Sequence, residues 1–81
     1  MKKIRILDCT LRDGGYVNNW KFGFENIKDT VKRLIQAGID IIEVGYLSSK
    51  GDFSADESQY SSVDAIKRIL PADRKNTLIA V

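Results

Sequence analysis

The sequence predicts an α/β fold in which parallel strands alternate with helices in the order βαβαβ. Three runs of strand-forming residues, 4–11, 39–46 and 77–81, follow one another at intervals of about 35 residues, a spacing typical of βαβ units. A helical pattern of apolar residues lies between each pair of runs. Because two parallel strands need a crossover connection, these helices favour a parallel sheet. The whole chain, 1–81, is expected to be a single unit without a linker or repeat.

The first predicted strand, 4–11, alternates apolar with polar residues and runs directly into Arg12 and Asp13. Gly14 and Gly15 then end the strand, because a residue without Cβ allows positive φ and lets backbone amides approach a ligand. In parallel α/β folds, functional groups collect at the carboxyl ends of strands. The Arg-Asp pair is therefore a candidate for catalysis or metal binding, and the alternative is a solvated turn with a weak surface ion pair.

Residues 14–23 form a loop longer than the usual two to six residues of a βα connection. Tyr16, Asn18, Asn19 and Trp20 offer hydrogen-bonding groups and flat apolar faces that suit the pocket of a small polar substrate. We assign Tyr16, Asn19 and Trp20 to substrate binding. An equally good interpretation of Trp20 is that its ring packs on the rim of the fold.

The first helix is predicted over 24–37, where apolar side chains recur at helical spacing and charged residues take the other side. Gly38 follows as a C-terminal cap. The apolar positions are Phe24, Ile27, Val31, Leu34 and Ile35.

The second predicted strand, 39–46, is apolar except for Asp40 and Glu43. A carboxylate inside a buried strand is costly unless it is paired or hydrogen-bonded, so Glu43 needs a cationic partner. If the first two strands are parallel neighbours, Arg12 is the expected partner. An exposed edge position or another partner for Glu43 is the alternative. Tyr46 ends this strand and is assigned to substrate binding.

The last third of the chain predicts a long loop, a short helix and a third strand. The loop, 47–62, lies on the same face as Arg12 and either borders the site or, over 51–58, makes a flexible surface excursion. The helix, 63–70, begins at the capping residue Ser62 and stops before Pro71.

Composition excludes several classes of function. The chain has 13 Lys and Arg against 11 Asp and Glu, scattered without a basic stripe, so we expect no nucleic-acid partner. The single Cys9 cannot form an intramolecular disulfide, and a role as a small apolar filler in the first strand is expected. The amino-terminal residues are too few and too charged for a signal peptide or a membrane span, so a cytoplasmic location is the default.

Two separated motifs resemble a known family. Residues 8–16, Asp-Cys-Thr-Leu-Arg-Asp-Gly-Gly-Tyr, with Asn-Asn-Trp at 18–20 and Ile-Glu-Val-Gly-Tyr at 42–46, resemble the start of the HMG-CoA lyase-like TIM barrels, the DRE-TIM metallolyases. The nearest branch is that of the 4-hydroxy-2-oxovalerate aldolase-like proteins. The resemblance implies the N-terminal βαβαβ portion of a TIM (β/α)8 barrel, with the first three of eight strands, since a full barrel has typically ~250 residues.

The resemblance also implies roles for three residues. Asp13 would ligate a divalent metal, Mn²⁺ or Mg²⁺; Arg12 would stabilise an enolate oxygen; and Glu43 would hold Arg12. The reaction would cleave or form a carbon–carbon bond next to a carbonyl in a small oxo acid. The family completes its metal site with two histidines, and this chain contains none, so we expect the 81 residues alone to be inactive.

Two alternatives stay open at this stage. One is an acyltransferring synthase of the same superfamily, and the other is a stand-alone α/β binding or regulatory module. The outer strands of a partial sheet would lack neighbours, so we also expect homo-oligomers through exposed sheet edges.

Overall fold

A computed structural model describes residues 4–48 and 51–81 of the chain. Its centre is a three-stranded parallel sheet in the order β1-β2-β5. The strands are β1 (Leu7–Asp8), β2 (Ile41–Glu43) and β5 (Leu78–Ala80). Leu7 lies opposite Ile41, and Ile42 lies opposite Ile79. The predicted α/β class and the parallel pairing are confirmed.

The main helix, α3 (Phe24–Gln36), covers one face of this sheet. Its side chains Ile27, Val31 and Ile35 are buried together with Ile42 of β2. The helix ends in the predicted way, because Gly38 has a φ of 82° and its N–H donates to Ile35 O at 3.0 Å. Such a residue at the end of a helix is usually glycine, which carries no Cβ penalty in this conformation.

The second predicted helix is present but shorter. It spans α4 (Val63–Lys67), and the hydroxyl of Ser62 accepts a hydrogen bond from Ala65 N, as the sequence predicted. The residues up to 70 form turns closed by bonds between positions three apart, such as Ile69 N to Ile66 O at 3.1 Å. The helix adds Ile66 to the core, and the turns that follow it add Ile69.

The predicted first strand, 4–11, is wrong over most of its length. Residues Thr10–Asp13 form a helical turn, α1, and Gly15–Asn18 form a second, α2. The carboxylate of Asp8 accepts hydrogen bonds from the backbone N–H and the hydroxyl of Thr10, at 3.1 and 3.2 Å. Such local side-chain bonds compete with strand pairing. Arg12 and Asp13 therefore lie on a helical turn just beyond β1, not at the tip of a long strand.

The positive φ expected at Gly14 and Gly15 is also wrong. Gly14 has a φ of −63°, and Gly15 is the first residue of α2, so neither uses positive φ. What excludes a side chain at Gly15 is space, because a Cβ there would lie 1.9 Å from the ring of Trp20.

The predicted loop over 47–62 contains structure. Strand β3 (Tyr46–Leu47) pairs in parallel with β4 (Gln59–Tyr60), so the second predicted strand divides into β2 and β3 at Gly45, whose φ is 143°. Residues 49 and 50 lie outside the described ranges. The stretch 51–58 is bonded to the segment that leads into α3.

Three contacts fix the stretch 51–58 to the start of α3. Glu57 forms a bridge with Lys21, and Asp56 accepts hydrogen bonds from Gly23 N and Phe24 N, at 2.9 and 3.0 Å. The second bond goes to the Asp56 carboxylate, which satisfies an N–H at the helix start that has no intrahelical partner.

The opposite face and the edges of the sheet are open in the parts of the chain described here. Leu7 of β1 and Leu78 of β5 share a face with Ile41, and they are 51% and 58% exposed. Both outer strands pair with β2 alone within these parts. No helix in 4–48 or 51–81 is long and apolar enough to cross a membrane.

The 81-residue chain is expected to self-associate through these edges, because an unpaired apolar edge is a template for another chain. Light scattering at high protein concentration measures the association. Leu7→Lys, which places a charge on the β1 edge, should shift the chain towards monomer. Val17→Lys adds the same charge at a 93% exposed position in α2 and is the control. A clean monomer of the unchanged chain would contradict this expectation.

Candidate functional site

An ion pair joins Arg12 of α1 to Glu43 of β2. Arg12 Nη1 donates to Glu43 Oε2 at 3.2 Å, and the side chains are 37% and 20% exposed. The hydrogen bond to Glu43 raises the pKa of the Arg12 guanidinium above the ordinary value for arginine. The parallel pairing of β1 with β2 brings the turn after β1 beside the end of β2. The predicted contact between the two residues is confirmed.

Beyond the ion pair, the Arg12 guanidinium contacts one aromatic ring and has one N–H without a partner in the described residues. Its carbon lies 4.7 Å from the centroid of the Tyr46 ring, a distance at which a cation is attracted to an aromatic face. Its Nε is buried and has no hydrogen-bond partner among the residues described. Because buried donors are nearly always paired in native proteins, this N–H is a candidate for binding a ligand oxygen.

Three aromatic side chains contact one another, with Tyr46 against the Arg12 guanidinium, and we call them the aromatic cluster: Tyr16, Trp20 and Tyr46. The hydroxyls of Tyr16 and Tyr46 lie 3.0 Å apart. The Trp20 ring packs edge-on against both, with centroids 4.9 Å from Tyr16 and 5.5 Å from Tyr46. The structure thus brings three of the four predicted substrate residues together beside Arg12.

Trp20 has a structural bond as well. Its Nε1–H donates to the carbonyl oxygen of Arg12 at 2.7 Å. This N–H therefore holds the turn that carries Arg12 and is not available to a substrate, whereas the ring faces remain part of the cluster.

Asn19, the fourth predicted substrate residue, lies elsewhere. It is the C-cap of α2 with a left-handed φ of 56°, and its side chain is exposed. Asparagine is one of the few residues that adopt this conformation readily, so its position is explained by the backbone.

Asp13 is exposed. Interaction with its carboxylate, ahead of burial, raises the pKa of the Cys9 thiol. Cys9 is the N-cap residue of α1, and the expected role as a strand filler is wrong.

Metal binding by Asp13 has limited support in the geometry. No three His, Cys, Asp or Glu side chains converge within residues 4–48 and 51–81. A Mg²⁺ or Ca²⁺ ion takes six or more oxygen ligands, several of which are water for Mg²⁺. The described residues by themselves therefore do not fit a divalent ion, and Asp13 offers one ligand at most.

Ser58 is a residue of the site that sequence reasoning missed. It is completely buried, and its hydroxyl donates to Leu11 O at 2.7 Å. Its own N–H donates to Trp20 O at 2.8 Å. Nothing in the sequence distinguishes this serine from Ser54 or Ser61 nearby, because its partners are distant in the chain.

The chain is similar to curated proteins of two kinds, although no protein-family model and no solved structure matches it. The 2-isopropylmalate synthase of Halalkalibacterium halodurans is 38% identical over 79 residues, covering 90% of this chain and 15% of the synthase. The 4-hydroxy-2-oxovalerate aldolase of Geobacillus genomosp. 3 is 41% identical over 51 residues, covering 63% of this chain and 15% of the aldolase. Both are DRE-TIM metallolyases.

The chain is related to the DRE-TIM metallolyase family. The motifs at 8–16 and 42–46 predicted this relationship, and it is confirmed. A further relative, the 2-isopropylmalate synthase of Saccharolobus solfataricus, is 33% identical over 76 residues. The chain spans between 11% and 15% of the length of the first three curated synthases that it matches.

The Tyr16–Tyr46 contact has a measurable effect on ionisation. The hydrogen bond with Tyr16, ahead of burial, raises the pKa of Tyr46 above its ordinary value of 10.0. Tyr16→Phe should therefore lower the pKa of Tyr46, and the ultraviolet absorbance of tyrosinate during an alkaline titration measures it. Burial raises the pKa of Tyr60 as well. Its hydroxyl donates to Val44 O and not to Tyr16, so Tyr60 serves as the internal reference.

The sign of the linked stability change follows from the same shift. A pKa raised by folding contributes stability that is complete below about pH 10 and is lost as the pH rises through the folded-state value. Tyr16→Phe should make this alkaline loss smaller. An unchanged pKa of Tyr46 in Tyr16→Phe would contradict the hydrogen bond.

Proposed function

We propose that this chain supplies the first part of the active site of a divalent-metal-dependent aldolase or lyase. The enzyme would cleave or form a carbon–carbon bond next to a carbonyl in small oxo acids, through an enolate. The observation that carries the proposal is the Arg12–Glu43 ion pair, with Asp13 adjacent, where two neighbouring parallel strands end. The relatives support the reaction class, since they are aldolases and synthases. They do not favour a stand-alone binding module.

Arg12 would stabilise the negative oxygen that develops when the carbon–carbon bond breaks. Its Nε–H is buried and unpaired within the described ranges, and its charge is held in place by Glu43. A donor fixed in advance near a developing oxyanion stabilises the transition state without reorganising during the reaction. Glu43 would act by orienting Arg12, not by touching the substrate.

The aromatic cluster would form one wall of the substrate site. The hydroxyls of Tyr16 and Tyr46 lie 3.0 Å apart, the Tyr46 ring centroid lies 4.7 Å from the guanidinium carbon, and the Trp20 ring packs edge-on against both tyrosines. This arrangement suits a small, flat and polar molecule better than a long apolar one. Asn19 stays in the proposed substrate set on its position in the chain alone.

Asp13 is the residue of this chain proposed to ligate Mn²⁺ or Mg²⁺, with the remaining ligands coming from outside the described residues. The bound metal would add positive charge at the enolate oxygen. The sheet order β1-β2-β5 supports placing the chain as the first three strands of a TIM (β/α)8 barrel. Leu7 and Leu78 would then face the barrel interior, and the enzyme would be cytoplasmic.

The test uses the complete protein that contains this chain, with Mn²⁺ added. Release of a 2-oxo acid from 4-hydroxy-2-oxo acids measures aldolase activity. Arg12→Lys keeps the charge but loses the planar fork, so kcat/KM should fall by about 10²–10³-fold, the effect of losing one oxyanion donor. Arg33→Lys is the control, because Arg33 is exposed on α3 and pairs only with Asp29 in the described structure.

Two further arms separate the alternatives. Condensation of an acyl thioester with a 2-oxo acid, in place of cleavage, would assign the chain to the synthases. Absence of both reactions in the complete protein would overturn the proposal. In the 81-residue chain alone, Mn²⁺ titration should show no tight site; micromolar binding that disappears in Asp13→Asn would contradict the need for outside ligands.

A further inference from the structure

We propose that Ser58 is a positioning residue for Arg12, an inference that rests on the function proposed above. Ser58 lies in the stretch 51–60, outside the central sheet, and is 47 residues from its partner Leu11. Ser58 is buried, and its hydroxyl, its N–H and its carbonyl each bind a different segment of the site.

The first of these bonds acts directly on the turn that carries Arg12. The Ser58 hydroxyl donates to Leu11 O at 2.7 Å, and Leu11 is the residue before Arg12 in α1. The Leu11 side chain is itself buried in the core. Two interactions therefore fix the turn: the packing of the Leu11 side chain in the core and the hydrogen bond from Ser58 to the Leu11 carbonyl.

The second bond acts through Trp20. Ser58 N–H donates to Trp20 O at 2.8 Å, and the Trp20 indole N–H donates to Arg12 O at 2.7 Å. Ser58 thus binds the Leu11 carbonyl of α1 directly. It also supports Trp20, which binds the next carbonyl, that of Arg12. Because a short helical turn has few internal bonds, such outside donors determine its orientation.

The third bond joins Ser58 to Tyr46, whose ring contacts the guanidinium. Tyr46 N–H donates to Ser58 O at 3.2 Å, and the Tyr46 ring lies over Arg12. The approach is so close that a Cβ on Gly45 would lie 1.9 Å from Ser58 O. Residue 58 therefore joins three segments of the site: its backbone binds Trp20 and Tyr46, and its hydroxyl, the part that requires serine, binds α1.

This arrangement predicts a catalytic effect without substrate contact. Removing the hydroxyl leaves Leu11 O without its donor and lets α1 shift relative to Glu43. Because a misplacement of about 1 Å in a catalytic group can cost 10²-fold in rate, the effect should fall on kcat. Substrate binding through the aromatic cluster should change much less, so KM should stay close to that of the unchanged protein.

The experiment compares Ser58→Ala with Ser61→Ala in the complete protein that contains this chain. Ser61 is exposed three residues away, so the control makes the same chemical change outside these contacts. For Ser58→Ala, kcat should fall by about 10–10²-fold with KM nearly unchanged. In labelled 81-residue chain, emission from Trp20, its single tryptophan, and the Arg12 Nε–Hε nuclear magnetic resonance signal should both shift.

The outcomes are distinct. Shifts in both spectroscopic signals, with lower kcat, support the proposal, and unchanged signals overturn it even if kcat falls. If the unchanged protein has no aldolase or synthase activity, the proposed function fails, while the Arg12 signal still decides whether Ser58 positions that residue. If Ser58→Ala does not fold, Ser58→Cys keeps nearly the same volume with a weaker donor, and smaller shifts in the same direction are expected.

Discussion

The ion pair between Arg12 and Glu43 is the constraint on which the rest of the site depends. It joins a helical turn to the central strand of the sheet at 3.2 Å. A carboxylate on a strand flanked by apolar residues needs such a partner, and an arginine on an adjacent turn gains a fixed direction from it. The same contact therefore offsets the free-energy cost of burying the Glu43 carboxylate and places the guanidinium at the ends of β1 and β2.

The hydrogen bonds that hold the backbone of the turn carrying Arg12 come from outside the three-stranded sheet. Strand β1 has only two residues, and it ends where Asp8 binds Thr10. The turn after it is held by Trp20 and by Ser58, which belong to the two connections that sequence analysis treated as loops. A fold in which the sheet supplies the frame and the connections orient the functional side chain agrees with the general behaviour of α/β proteins, whose binding residues lie on loops positioned by a scaffold.

Sequence alone predicted the features that depend on local pattern. Helix α3 follows from its apolar spacing and Gly38, and the partner of Glu43 follows from the cost of a buried carboxylate. The features that it missed depend on contacts between distant residues. Asp56 binds the start of α3 across 32 positions, and Ser58 binds Leu11 across 47. A serine-rich stretch carries no sign of such partners, so the sequence left open whether the loop borders the site or makes a surface excursion.

The most direct test of this account is a double-mutant cycle on the free energy of unfolding in urea, with Arg12→Gln, Glu43→Gln and the double variant. If the two side chains form the constraint described here, the double variant should lose clearly less stability than the sum of the two single variants. Losses that simply add would show that Arg12 and Glu43 do not interact in solution, and they would contradict the account.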